Sequence, residues 1–447
     1  GTADAGVTTP APAPLQVAVA PAAPAPTAVG SVELAVVPRF DKITGDTRTL
    51  DLMLRLKGTG DIPTERPPLD LALVIDRSGS MSGDKIRAAK AAGLELLGKL
   101  DARDRVTIIS YSDSVETRVT RLPMDDAGRE AARKALLALE ATGMTALGPA
   151  MFEALDATER GLGDETRMAH VLLMSDGLAN VGEKRPDALG ARAAQAFARG
   201  VSVSTIGVGL DYNEDLMTRL ADQGGGRYHF VQNAEAISGV LDDEMKGLVA
   251  TVARGVEFEV KGGLGVKVAK VFGYPSTTDG AVTRARVGAL GAGQTREVIV
   301  RLELPALAGT RADLGTLAVI FKDVAADGVP RRIDLPLGVD VTADAAQMTA
   351  SEHADVTVRV AEVEASEKLE VAARAADTGD FAAATGALQI AIDDLKKQDA
   401  KAPSPKLARQ IKSFEEARDE VGQAKGSEAG RKAYTKKYKA KAYTEMK

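Results

Sequence analysis

The chain has 447 residues, 45% of them hydrophobic and 27% charged, with a formal net charge of −6. That length allows two or three domains with real cores, and the acidic excess argues against a nucleic-acid-binding body. There is no cysteine, which excludes disulfides and thiolate metal sites, and His170, His229 and His353 stand far apart. Any metal must therefore have oxygen ligands, which means a hard cation such as magnesium, manganese or calcium. No apolar run reaches the roughly 18 residues that a membrane-crossing helix needs.

Residues 1–30 are rich in proline and alanine and nearly free of charge. That composition predicts a disordered, extended tether, and its start is consistent with a processed or truncated product. Residues 31–66 contain two strands around the turn Asp41–Asp46. The second puts Leu50, Leu52, Leu54 and Leu56 on one face by strict alternation. A proline-bearing linker over residues 62–68 follows.

From residue 67 to 252 apolar strands alternate with amphipathic helices. Strands are expected at Leu69–Ile75, Val106–Ser110, His170–Met174 and Val201–Val208. Helices are expected at Asp84–Leu100, Arg129–Glu140, Pro149–Arg160, Pro186–Arg199, Asn213–Asp222 and Ala234–Val249. This order predicts crossover connections and a doubly wound, mostly parallel, Rossmann-like sheet. Residues 253–345 return to alternation at Val256–Val260, Val298–Leu304 and Ile333–Val341, an antiparallel β-sandwich pattern. The strands of 31–66 lack neighbours of their own, so one sandwich built from both flanks, with the α/β unit inserted, is the economical arrangement. Residues 346–447 read as helical hairpins: one helix to Ala376, a second from Phe381 to Lys397, a third from Lys406 to Ala424, and a basic tail from Arg431. The turn Asp377–Phe381 resembles that of a tetratricopeptide-type hairpin.

The first α/β strand ends in Asp76, Ser78 and Ser80 around Gly79. Asp176 follows a later strand in the same manner, and Thr145 lies in a glycine-flanked loop before a helix. In an open parallel sheet, ligands gather at these carboxyl ends of strands. Two carboxylates and three hydroxyls suit octahedral magnesium with retained waters. An aspartyl nucleophile of the haloacid-dehalogenase type would need a carboxylate at position 78, where serine stands.

Asp-x-Ser-x-Ser over 76–80, Gly-Met-Thr over 143–145 and Ser-Asp-Gly over 175–177 together resemble the von Willebrand factor A domain, where such residues form a metal-ion-dependent adhesion site. The resemblance covers about residues 69–249 and implies Mg2+ (Mn2+ or Ca2+ as alternatives) held by Asp76, Ser78, Ser80, Thr145 and Asp176. It also implies a non-enzymatic protein that binds a protein partner's Asp or Glu at the metal. Ser112, Asp113, Met144, Leu178 and Asn180 are expected to rim the site. Asp84 and Lys85 read as solvent-facing helix-start residues, Asp113 as lying in an ordinary turn, and His170 as structural. The flanking segments resemble bacterial cell-envelope A-domain proteins, and the tether resembles a lipoprotein spacer. A periplasmic or surface location is expected, with secretion as the alternative. The alternative function is an assembly scaffold or chaperone-partner subunit. The basic tail is expected to pack on its own acidic body, with membrane contact as the alternative. The oligomeric state is open at this stage.

Overall fold

Leu69, Leu71, Leu73 and Ile75 point to one face of their strand, while Ala72 and Val74 point to the other, and all six are buried. A strand apolar on both faces must lie at the centre of a covered sheet. In the computed structural model, which describes residues 25–60, 66–163 and 167–447, it does. Most of the expected tether, and part of the linker at 62–68, lie outside those residues.

The central sheet runs in the order Gly225–Val231, Val201–Val208, Met168–Ser175, Leu69–Asp76, Arg105–Tyr111, Val115–Pro123. The first five strands are parallel, and the last returns antiparallel along the edge. Its helices are α1 (Asp84–Lys99), α2 (Asp126–Leu137), α3 (Leu147–Glu159), α4 (Pro186–Arg199), α5 (Glu214–Gln223) and α6 (Ile237–Val249). Side chains of α1, α2 and α6 fill one face, and those of α3, α4 and α5 fill the other. After Leu69–Asp76 the chain builds outward to one side, then crosses back to Met168–Ser175 and builds to the other. The reversal of strand order therefore falls between Asp76 and Asp176, where a doubly wound sheet opens a crevice.

Two further sheets flank this unit. One has the order Thr27–Val29, Val32–Pro38, Thr49–Gly58, Thr295–Glu303, Lys267–Val271. The other runs Ser276–Asp279, Val282–Gly291, Thr251–Gly262, Arg311–Asp323, Val329–Thr342, Lys42–Thr44. Strand Thr49–Gly58 pairs with Thr295–Glu303 over nine residues without a register break. Leu50, Leu52, Leu54 and Leu56 share one core with Phe258, Val300 and Phe321, each burial contributing about 1.5–3 kcal/mol. Lys42–Thr44 pairs parallel to the end of Val329–Thr342; this departs from an all-antiparallel pattern, because the short strand approaches from the other flank.

The C-terminal region forms α7 (Ala345–Ala350), α8 (Ala354–Asp377), α9 (Phe381–Lys401), α10 (Pro405–Ala424) and α11 (Glu428–Met446). The helix expected from about Ser351 to Ala376 is α8, and the short α7, not expected from the sequence, precedes it across a break at Ser351–His353. Val356, Val360 and Val363 of α8 cover Val37, Met53 and Ile299 on the outer face of the five-stranded sheet. The basic tail is α11, and it packs on its own protein. Lys436 is almost fully buried, with Nζ 2.6 Å from Glu214 Oε2 and 2.8 Å from the Tyr212 carbonyl oxygen. Lys432 meets Asp211, Lys437 meets Glu420, and Lys439 meets Glu214 and Asp215. Lysines paired in this way are poorly placed to hold a lipid surface. Among the described residues no helix is long and apolar enough to cross a membrane.

Candidate metal centre

Asp76 closes its strand inside the sheet and is fully buried. Its Oδ1 accepts from the Ser78 backbone at 2.8 Å, and its Oδ2 accepts from Ser175 Oγ at 2.8 Å. These bonds fix the carboxylate, while burial pushes its proton affinity up against them. The next turn carries Ser78 and Ser80 out of the strand, with their hydroxyls 3.0 Å apart. Ser80 Oγ donates to Asp176 Oδ1 at 2.7 Å. Asp76, Ser78, Ser80 and Asp176 therefore meet in one polar cluster at the reversal of strand order.

Thr145 completes the group from a loop held by two side chains. Asp113 Oδ1 accepts from the Met144 backbone at 3.2 Å, and Asn180 Oδ1 accepts from the Thr145 backbone at 2.8 Å. Gly143 has a positive φ of 75°, and a Cβ there would collide with the Asp113 carboxylate. Gly177 leaves open the space between the hydroxyls. A Cβ at that position would sit 3.2 Å from Thr145 Oγ1 and 3.6 Å from Ser80 Oγ. The donors are all hard oxygens facing a gap kept clear by glycine, and they fit a magnesium-like ion. Hydroxyls outnumber carboxylates. Among the described residues no group of three or more His, Cys, Asp or Glu side chains is placed to hold a metal.

Several expectations need correction. Ser112 is not on a rim: it is buried, and its carbonyl accepts from Ala146 N at 2.9 Å. Asp113 and Asn180 work inward as clamps on the Thr145 loop, so Asp113 is more than an ordinary turn residue. Met144 and Leu178 do stand exposed beside the site, at 48% and 58%. Lys85 is only partly exposed and reaches into the site: its Nζ lies 2.5 Å from Asp176 Oδ2. Sequence alone missed this contact, although a lysine in the first turn of a helix, against the helix dipole, was the available signal.

Residues 70–243 match the von Willebrand factor type A domain family. The α/β unit is a von Willebrand factor type A domain. Domains of this type commonly mediate protein–protein interactions and typically carry a divalent metal. An uncharacterized Escherichia coli protein, YfbK, is 30% identical over 199 residues, 44% of this chain and 34% of that protein. An uncharacterized Synechocystis protein, sll0103, is 28% identical over 309 residues, covering 66% of this chain and 71% of its own length. The chain thus matches about a third of one relative and under three quarters of the other. A solved von Willebrand factor type A protein from Catenulispora acidiphila superposes with a TM-score of 0.70 at 17% identity, covering 88% of this chain and 90% of that one. The likeness of fold therefore extends past the A domain into the flanking sheets and helices.

Proposed function

We propose that the A domain binds a protein partner through a divalent cation held by Ser78, Ser80, Thr145, Asp76 and Asp176. The observation that carries this reading is that the Thr145 and Ser80 hydroxyls flank the space beside Gly177, with Ser78 and Asp176 hydrogen-bonded to Ser80 and Asp76 bonded to the Ser78 backbone. When bound, magnesium supplies a coordination position that a partner's Asp or Glu oxygen can fill. The two carboxylates of the cluster cancel a divalent charge, which leaves that position open to an anion. Asp113 and Asn180 hold Thr145 in place, and the exposed Met144 and Leu178 offer apolar contact beside the metal. One coordination bond is too little for specific binding, so these neighbours would select the partner. The cluster contains no histidine or free carboxylate placed as a general base, which supports binding rather than catalysis.

In this reading the flanking sheets form a β-sandwich that carries the A domain as an insert, in a protein of the bacterial cell envelope. The proline- and alanine-rich start and the resemblance to envelope A-domain proteins support that location. A second reading, an assembly scaffold, is favoured by Val371 and Ile390, large apolar side chains left more than half exposed on α8 and α9.

The test is capture from envelope extract on beads carrying wild type or Asp176→Ala, in Mg2+ or in EDTA. A partner held by wild type in Mg2+ and lost both in EDTA and in the variant is the expected result. A partner retained in all arms would refute metal-dependent binding and direct attention to α8 and α9.

A further inference from the structure

Lys85 reaches one of the proposed metal ligands. Its Nζ takes Asp176 Oδ2, while Oδ1 of the same carboxylate takes Ser80. The carboxylate is fully buried, and the lysine side chain is 29% exposed. Nothing in α1 explains a cation at this place. Lys85 is the second residue of the helix, where the exposed N–H groups repel positive charge and Asp84 already supplies the favoured sign. The side chain is also confined from the opposite side. A Cβ on Gly209, just after strand Val201–Val208, would lie 3.2 Å from Nζ. Beyond Gly209 stands Asp211, whose carboxyl is held below its usual range first by Lys432 of α11 and also by Lys85. The ammonium group therefore contacts one carboxylate, in the site, and feels the field of a second, outside it.

Resting on the metal reading above, we propose that Lys85 is a tethered cation that competes with the metal for Asp176. Two cations a few ångströms apart on one carboxylate repel each other, so Lys85 lowers the affinity for the metal. Metal entry shifts the ammonium towards Asp211 and weakens its hold on Asp176. Once the divalent charge is cancelled by Asp76 and Asp176, Lys85 leaves one net positive charge beside the open coordination position. That surplus favours an anionic partner over a neutral one.

Calorimetric titration of the full chain with MnCl2 tests this on wild type, Lys85→Met and Lys85→Arg. Lys85→Met should bind Mn2+ roughly tenfold more tightly than wild type, and Lys85→Arg should stay within twofold of it. Lys85→Met should also melt lower than wild type in EDTA, since Asp176 is then buried without a cation, and recover in Mn2+. If Lys85→Met does not fold in EDTA, Lys85→Gln, which keeps a donor without the charge, should show the same tightening. Affinity in the uncharged variants equal to or weaker than wild type would overturn the proposal, making Lys85 a mere prop for Asp176 while the metal reading stands. Absence of Mn2+ binding in every protein would sink both.

Discussion

At the scale of single residues, the metal cluster and a second buried polar group show how differently legible two sites can be. Asp76, Ser78, Ser80, Thr145 and Asp176 are readable because each follows an apolar strand or a glycine, so their types and spacing survive in the sequence. Lys85 and Asp113 are not, because their partners lie 91 and 31 residues away. Glu244 of α6 is the other case. It is buried and accepts from Ser204 Oγ at 2.9 Å, pairs with His229 Nε2 at 2.7 Å, and has Arg227 at 3.3 Å and His170 Nε2 at 3.5 Å. Burial alone would raise its proton affinity, but these partners hold the carboxyl far below the usual range. No sequence pattern joins residues 170, 204, 227, 229 and 244, since the sheet alone brings them together. We predict that Glu244→Gln costs about 1–3 kcal/mol of stability, because it weakens the charged acceptor shared by Ser204, His229 and the partly exposed Arg227. Urea unfolding at pH 7 measures this, and a loss below about 1 kcal/mol would mean that the cluster is energetically neutral.

At the scale of elements, strand and helix positions inside the A domain follow the expected periods because both faces of its sheet are covered. Val282–Gly291 and Arg311–Asp323 were missed although their burial largely alternates, and the other missed strands lack a clean period. Val115–Pro123 is an edge strand with charged residues along it, two register shifts and Arg121 at a positive φ of 44°. Lys267–Val271 and Ser276–Asp279 are short and largely exposed, so no alternation marks them. Helix α11 is the opposite case: the basic tail is expected to pack on its own acidic body, and its lysines do pair with Glu214, Asp215 and Asp211. Glu214 is half enclosed between Lys436 and Lys439. Burial raises its proton affinity, but the two lysines win and hold the carboxyl at about 2. An unfolded glutamate titrates near about 4.3. The pair therefore stabilises α11 docking fully above that value, and the contribution is lost as pH falls from about 4.3 towards about 2. Glu214→Gln should cost about 1–3 kcal/mol at pH 7, with most of that difference gone by about pH 2. Thermal melts of both proteins across that range check this; a gap that stays constant with pH would show that the charge contributes nothing.

At the scale of the whole molecule, strands from both sides of the A domain meet in one core, and α8 and α11 strap the C-terminal region to the outer sheet and to the A domain respectively. Pairing of Thr49–Gly58 with Thr295–Glu303 across 250 residues cannot be read from any local window. The isolated period-two pattern of Leu50 to Leu56, lacking a partner nearby, is what made it inferable. The arrangement bears on signalling. Helix α6 runs straight into strand Thr251–Gly262, a route by which ligand would tilt the domains, yet Glu244 pins α6 to the sheet. Breaking that buried cluster would cost about 3–5 kcal/mol, more than the 1–3 kcal/mol or so that site-to-site coupling commonly supplies. X-ray scattering profiles in saturating Mg2+ and in EDTA should superimpose, and a change in radius of gyration would show that the pin yields. The central claim, that five oxygens at the reversal of strand order hold a divalent cation, is tested most directly by electron paramagnetic resonance of added Mn2+. The account predicts one bound Mn2+ per chain, displaced by Mg2+ and lost in Asp176→Ala. Mn2+ that stays free beside wild type, or binds Asp176→Ala equally well, would contradict it.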